Sequence, residues 1–174
     1  MEIEEYRKQF IDELRFNAEH EGTEPETQFI EKILNDLEEI GELNDPIPMS
    51  VEMRGSRNRI LAFDAYAYDE ADGALVLIAS DFTNQRDTAP TLTNTRIEEL
   101  YGRMLNFVEE SVQGNISKYC DDSDPALLIA NEFRKKIGKG MLSTEILRFK
   151  FFIISNATLS KQVKNLSKPD LLER

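Results

Sequence analysis

Two apolar runs joined by a turn signal, between Arg59 and Thr83, constrain this chain more than any other feature of its sequence. The stretch reads RILAFDAYAYDEADGALVLIASDFT. The Asp72-Gly73 step is typical of a two-residue β-hairpin turn, because Asp tolerates and Gly favours a positive φ. A tight turn there sets Asp64 directly opposite Asp81. Opposed carboxylates are destabilising unless water, a cation or a shared proton relieves them, so this pair is either a metal site or a buried polar pair.

The two hairpin strands are apolar on both faces, which is typical of interior strands covered on both sides. Strict alternation along the first strand divides its side chains into two sets. One set is Ile60, Ala62, Asp64, Tyr66 and Tyr68, and the other is Leu61, Phe63, Ala65 and Ala67. We therefore predict an α/β fold, with a three-layer α/β/α sandwich around a mixed four-stranded sheet.

Helical spacing, caps and breakers on either side of the hairpin predict the element order ααβββααβα. Helices are expected over residues 4–18, from the capping signature Thr23-x-x-Glu26 to Gly41, from Thr93 or Asn94 onward, over 126–137 before Gly138 and Gly140, and over 161–166 behind Ser160. Strands are expected over residues 50–54 and 146–154. Residues 42–49 hold two prolines and predict a loop, and the polar residues 83–93 predict a flexible loop.

The composition of the chain excludes or disfavours several classes of fold and of functional site. The 174 residues suit one domain. One cysteine, Cys120, excludes an intrachain disulfide framework and fits a reducing cytoplasm, while one histidine, His20, disfavours histidine-based metal and triad chemistry. No apolar run is long enough to span a bilayer. The formal net charge of −12 gives no support to nucleic-acid binding through a basic face.

The element order with an acidic hairpin at its centre resembles the core of the restriction-endonuclease-like superfamily. That resemblance implies one carboxylate on each hairpin strand, holding a divalent cation, and a lysine two residues after the second carboxylate. Asp64 and Asp81 take the carboxylate positions, and Thr83 takes the lysine position. Because threonine carries no positive charge, Arg96 and Arg103 on the following helix are candidates to replace the lysine. Glu38, Glu39 and Glu42 are candidate further ligands.

Longer phrases resemble a narrower family. FDAYAYDEADGALVLIASDF, the later FFIISNATLSKQVKNL, and an RGxRxRxL stretch formed by Arg54, Gly55, Arg57, Arg59 and Leu61 are similar to the N-terminal region of bacterial abortive-infection phage-resistance (AIPR) proteins. The resemblance extends over nearly the whole chain. It implies that residues 1–174 form a single nuclease-like domain, the N-terminal piece of a longer cytoplasmic defence protein whose larger C-terminal part lies beyond this sequence.

The leading functional hypothesis is a catalytically degenerate nuclease-like domain that acts in recognition or assembly, with no cofactor. Its expected partner is the C-terminal part of the same protein. A homo-oligomer and a nucleic acid stay open as partners, and no membrane is expected. The alternative is an active endonuclease that cleaves DNA or RNA with Mg²⁺ or Mn²⁺. In that case Asp64, Asp81 and Thr83 are the catalytic candidates, and the first two are also the metal ligands. A dimerisation module is a third option.

Overall fold

The computed structural model describes residues 3–137 and 146–163. Within them the chain forms four α-helices, a four-stranded sheet and a small two-stranded sheet. In chain order the elements are α1 (Ile3–Glu21), α2 (Pro25–Glu39), β1 (Ile47–Arg54), β2 (Ile60–Asp69), β3 (Ala74–Asp81), β4 (Thr91–Leu92), α3 (Asn94–Gln113), α4 (Pro125–Ile137), β5 (Arg148–Ser155) and β6 (Thr158–Leu159).

The main sheet has the strand order β1-β2-β3-β5. The first two pairings are antiparallel and the β3–β5 pairing is parallel, so the predicted mixed four-stranded sheet is confirmed. A crossover through α3 and α4 connects β3 to β5, as a parallel pairing requires. β4 and β6 form a separate parallel pair, which the sequence did not predict.

The central hairpin forms, but its turn is longer than predicted. The turn spans residues 70–73, with Gly73 at φ 58°. Tyr66 consequently pairs with Leu77, and Asp64 and Asp81 are not directly opposite one another. The tight-turn register was wrong because Asp69 accepts a hydrogen bond from the Asp72 amide. That bond belongs to a turn over residues 70–73, so Asp72-Gly73 is the second half of this turn and not a two-residue turn by itself.

Strict alternation along β2 was also wrong, and the irregularity lies at Asp64. Leu61, Phe63 and Tyr66 belong to one hydrophobic cluster, whereas Ala65 belongs to the cluster on the other side of the sheet. The β1–β2 register shifts at the same level, between Pro48 and Val51. Such bulges redirect side chains and are over-represented beside functional sites.

Helices cover both faces of the sheet and give the predicted three-layer α/β/α arrangement. Leu14, Phe29 and Leu34 of α1 and α2 pack on one face against Ala65, Ile78 and neighbouring residues. On the other face α3 and α4 contribute to a larger hydrophobic cluster. Its largest side chains from these helices are Met104, Phe107 and Phe133. Among the described residues, no helix has the length and apolarity needed to cross a membrane.

Several element ends differ from the sequence prediction. β1 begins at Ile47, inside the predicted loop. Pro48 therefore lies on an edge strand, one of the few places in a sheet where proline is found. The N-cap of α2 is Glu24, without a side-chain cap; Thr23 Oγ1 instead accepts a hydrogen bond from Gln28. Thr93 caps α3 as predicted. Gly138, Gly140 and residues 164–166 of the last predicted helix lie outside the described residues.

Candidate functional site

A cavity of about 370 Å³ opens between the N-terminus of α2, the middle of the sheet and the start of α3. Its polar lining comes from both helical layers and from the three strands between them. These polar residues are Glu24, Glu26, Thr27, Ser50, Glu52, Asp64, Ser80, Arg96 and Arg103. The β2 irregularity therefore places Asp64 at a concave site that both helical layers share.

Asp64 is half-buried in this cavity. Its Oδ2 accepts a hydrogen bond from the Ser80 backbone amide at 2.7 Å. Burial raises the pKa of the Asp64 carboxyl and the Glu52 carboxylate raises it further, while the Ser80 hydrogen bond and Arg103 act in the opposite direction. A carboxyl with a raised pKa in a cleft is a candidate functional group, and Asp64 is the predicted site residue with the strongest geometric support.

Glu26 is an acid of this cavity that sequence reasoning missed. Partial burial raises the pKa of Glu26 most, Asp64 and Asp81 raise it further, and the nearby Ser80 hydroxyl lowers it. Its place in the first turn of α2 was visible in the sequence, but only the packing of α2 on the sheet brings it to Asp64. The glutamates predicted as further ligands, Glu38, Glu39 and Glu42, lie at the other end of α2 or beyond it and do not line the cavity.

Asp81, the second predicted metal ligand, has hydrogen-bond partners on both carboxylate oxygens. Its Oδ1 accepts a hydrogen bond from Arg96 Nε at 2.8 Å, and its Oδ2 accepts one from the Ser155 hydroxyl at 3.1 Å. Arg96 lines the cavity, whereas Asp81 does not. The arginine considered as a substitute for the missing lysine is therefore beside the second carboxylate, as a partner that neutralises it.

Thr83 is fixed through its backbone and stays apart from the cavity. Its amide donates to Asn156 Oδ1 at 2.9 Å, and Asn156 Nδ2 donates back to the Thr83 carbonyl at 2.8 Å. The Thr83 hydroxyl accepts a hydrogen bond from the Gln85 amide. Asn156, directly after β5, thus binds the backbone directly after β3 through two hydrogen bonds. The Thr83 hydroxyl makes its own hydrogen bond within the same loop.

No cluster of three or more His, Cys, Asp or Glu side chains suited to a metal ion occurs in residues 3–137 and 146–163. Asp64 and Glu26 supply the hard oxygen atoms that Mg²⁺ and Mn²⁺ prefer, but Asp81 is already engaged by Arg96. The donor chemistry fits a divalent cation only if the Asp81–Arg96 pair opens.

The RGxRxRxL stretch forms a second polar cluster, away from the cavity. Glu110 of α3 is 1% exposed and accepts four hydrogen bonds, from Ser56, Arg59, Asn115 and Tyr119. Burial acts to raise the pKa of Glu110, but these hydrogen bonds together lower it. A buried carboxylate with four donors is a structural tie between the β1–β2 connection and the C-terminal end of α3.

The other residues singled out in the sequence lie in surroundings that give no support to a catalytic role. His20 is exposed. Tyr66 is buried in the core, and Tyr68 donates a hydrogen bond to Glu132. Cys120 is partly buried, and burial followed by the charges of Asp124, Asp121 and Asp122 raises the pKa of its thiol. A thiol with a raised pKa is a poor nucleophile.

Comparison with known proteins adds one match. Residues 29–173 match the family model described as the abortive infection phage resistance protein N-terminal domain. The matched range holds the hairpin, α3 and most of the cavity lining, and it leaves out α1. No match was found among curated proteins or among solved structures.

Proposed function

The chain belongs to the family of the abortive infection phage resistance protein N-terminal domain, and from that membership we propose that it is a catalytically degenerate nuclease-like domain that serves phage defence through recognition or assembly. In this proposal the restriction-endonuclease-like core is retained as a scaffold. The cavity beside Asp64 is retained as a binding site rather than as a catalytic centre.

The Asp81–Arg96 pair is the observation that carries this proposal. A metal-dependent phosphodiesterase needs carboxylate oxygens that converge on one cation beside the scissile phosphate. Both oxygens of Asp81 are already hydrogen-bonded, one to a guanidinium at 2.8 Å and one to a hydroxyl. Recruiting Asp81 for a metal requires breaking a charge-assisted hydrogen bond, a contact roughly twice as strong as a neutral one.

The surroundings of Thr83 support the same proposal. A lysine at this position would position or activate the attacking water, whereas the Thr83 hydroxyl has no charge to contribute and is occupied by the Gln85 amide. Arg96 and Arg103 bring positive charge to the cavity, but an arginine does not release its proton in proteins. Neither can act as a general base.

A nuclease assay on the full-length protein tests the proposal. We expect no Mg²⁺- or Mn²⁺-dependent cleavage of DNA or RNA above the level of an Asp64→Ala variant. Cleavage that depends on the metal and disappears in Asp64→Ala would overturn the degenerate assignment. The Arg96→Ala variant is an informative addition, because it releases Asp81 and tests whether the pairing is what prevents activity.

An active metal-dependent nuclease that uses Asp64 and Asp81 is the second candidate. The observation in its favour is that Asp64 and Glu26 both have a raised pKa and lie at one cavity, a pattern common at functional sites. This candidate requires a Mg²⁺ or Mn²⁺ ion between Asp64 and Asp81. Calorimetric titration with Mn²⁺ that shows no binding at millimolar concentration would count decisively against it.

Partners and location belong to the same proposal. Recognition or assembly implies contacts with the C-terminal part of the same protein or with a second copy of the chain, in the cytoplasm. A nucleic acid is a weaker candidate because the chain carries a formal net charge of −12, and phosphate contacts supply much of the affinity of nucleic-acid binders. Light scattering of the purified chain distinguishes a monomer from a homo-oligomer.

A further inference from the structure

Charged side chains of opposite sign line the cavity at Asp64 from different elements. The acids come from the start of α2, from β1 and from β2, and they are Glu24, Glu26, Glu52 and Asp64. The two arginines, Arg96 and Arg103, both lie on α3. A neutral ligand with hydrogen-bond donors on one part of its edge and acceptors on another fits this division, and it adds no net charge to the cavity.

Arg103 calls for a hydrogen-bond acceptor on the α3 side of the cavity. Its Nη2 pairs with Glu99, whereas its Nε is closed off from solvent and has no hydrogen-bond partner in the part of the chain that the structure describes. A buried N–H group without an acceptor is costly, because its lost hydration is not replaced. Since Arg103 lines the cavity, an acceptor atom of a bound ligand would satisfy this donor.

Asp64 has accepting capacity to spare on the opposite side. Within residues 3–137 and 146–163, one hydrogen bond reaches its carboxyl group, and it runs from the Ser80 amide to Oδ2. The Glu26 carboxyl, in comparison, already interacts with the Ser80 hydroxyl. Asp64 Oδ1 is therefore the acceptor that a ligand N–H group would meet.

Apolar side chains make up much of the remaining lining. Ile30, Phe63 and Leu100 line the cavity, and each is buried. A flat aromatic ligand buries its faces against such side chains and makes its hydrogen bonds at its edge. The cavity volume of about 370 Å³ lies at the small end of the range of roughly 300–1,000 Å³ found for ligand pockets, which suits a ligand of the size of a nucleoside.

We propose that this cavity binds a guanine base, an inference that rests on the recognition role proposed for the domain. Guanine presents neighbouring donors, N1–H and the N2 amino group, beside the acceptor O6. In the complex the Asp64 carboxylate accepts from N1–H and from the amino group, and Arg103 Nε donates to O6. Adenine has an amino group in place of O6 and lacks the N2 amino group, so it makes neither contact.

Nuclear magnetic resonance titration of the full chain with guanosine, inosine and adenosine tests the inference. With guanosine we expect chemical-shift changes at the backbone amides of Asp64, Ser80 and Arg103. Inosine lacks the N2 amino group and should bind about tenfold more weakly, the value of one charge-assisted hydrogen bond. Adenosine should cause no shift changes at these amides.

Two variants test the two contacts separately. Asp64→Asn should reduce the tenfold preference for guanosine over inosine to about twofold, because the contact to the amino group is then no longer charge-assisted. Arg103→Lys keeps the charge but removes Nε, so it should weaken guanosine and inosine equally, by about tenfold, since both carry O6. Glu39→Gln is the matched control, because Glu39 is an exposed acid of α2 that does not line the cavity, and it should leave binding unchanged.

Guanosine 5′-monophosphate and a single-stranded trinucleotide with guanine at its centre distinguish the two sources of the base, a free nucleotide and an unpaired base of a nucleic acid. Tighter binding of either supports the inference. Equal binding of guanosine and adenosine, shifts that map away from the cavity, or unchanged guanosine binding in both variants would overturn it. Metal-dependent cleavage in the nuclease assay refutes the proposed function, whereas absent guanosine binding without cleavage refutes only this inference.

Discussion

At the scale of single residues, two acids that are both shielded from water have pKa shifts in opposite directions. Glu110 is 1% exposed and has four hydrogen-bond donors, so its carboxylate is stabilised. Asp64 is half-buried with one backbone donor, and its charged form is penalised. The contrast separates a structural acid from a candidate functional one, because groups that cost stability are retained where a function needs them.

Glu110→Gln should destabilise the fold by about 2–4 kcal/mol, since it removes the charge that compensates Arg59 and weakens three further hydrogen bonds. Urea unfolding at neutral pH measures the effect. The matched control is Glu109→Gln, because Glu109 also pairs with Arg59 but is 44% exposed. An exposed pair contributes about 0–1 kcal/mol. Equal losses in the two variants would contradict the structural role of Glu110.

Gly55→Ala should destabilise the fold by about 1–3 kcal/mol through overpacking. A Cβ at Gly55 would meet Leu61 Cδ1 at 2.6 Å, and Leu61 is fully buried. Gly102→Ala is the control, because a Cβ at this position of α3 meets nothing within 4 Å. A helix-interior alanine is favoured over glycine by about 0.5–1 kcal/mol. Thermal unfolding should therefore move in opposite directions in the two variants.

At the scale of elements, the central hairpin shows what a local pattern can and cannot predict. Apolar runs around an Asp-Gly step correctly predicted two paired interior strands. The local hydrogen bond from the Asp72 amide to Asp69 gives the wider turn, and Lys150 of β5 supports it by binding Asp69 and Asp72 at 2.8 and 2.7 Å. This support was not predictable locally, because β5 lies far along the chain. The bulge at Asp64 was hidden for a similar reason, since it follows from the pairing of β2 with β1.

The candidate site was predictable in part. A carboxylate in an apolar strand singled out Asp64, and the family resemblance made Arg96, on the helix after the hairpin, a candidate to replace the missing lysine. Glu26 was not predictable, because exposed glutamates in a first helical turn are common and stabilise the helix dipole on their own. Only the packing of α2 against the sheet distinguishes Glu26 from the other glutamates of that helix.

The loop after β3 is anchored, in contrast to the flexible loop predicted from its polarity. Arg7 of α1 donates to the carbonyl groups of Arg86, Gln85 and Asn156, and Arg15 donates twice to Asn84. A polar sequence does not reveal such anchoring, since the donors come from a helix far away in sequence. Helix α1, outside the family match, thereby fixes the backbone that follows Asp81.

Arg7→Lys should loosen this loop without unfolding the core. Lysine keeps the charge but lacks the planar fork that reaches three carbonyl groups. We expect faster amide hydrogen exchange over residues 83–87, with exchange in β2 and β3 unchanged. Lys8→Ala is the control, because within residues 3–137 and 146–163 the one ion pair of Lys8 is a long one, 3.8 Å from the exposed Asp87. Unchanged loop exchange in Arg7→Lys would show that α1 does not anchor the loop.

At the scale of the whole molecule, the pH dependence of folding stability reports the cost of burying the charged form of Asp64. The folded-state pKa of Asp64 is raised by burial and by Glu52, so the unfolded chain releases this proton at lower pH than the folded chain does. The contribution of Asp64 to stability is therefore lost as pH rises from the ordinary carboxyl pKa through the raised one. Glu110, whose pKa is lowered, contributes stability that is lost as pH falls.

Asp64→Asn should accordingly stabilise the fold at neutral pH, because asparagine keeps an oxygen for the Ser80 amide and carries no buried charge. The gain should shrink as the pH falls below the ordinary carboxyl pKa, where aspartic acid is neutral in both states. Urea unfolding at neutral and acidic pH measures both parts, with Glu110→Gln as the variant of opposite sign. A destabilised Asp64→Asn at neutral pH would make Asp64 a structural acid like Glu110, and the cavity would lose its best-supported functional residue.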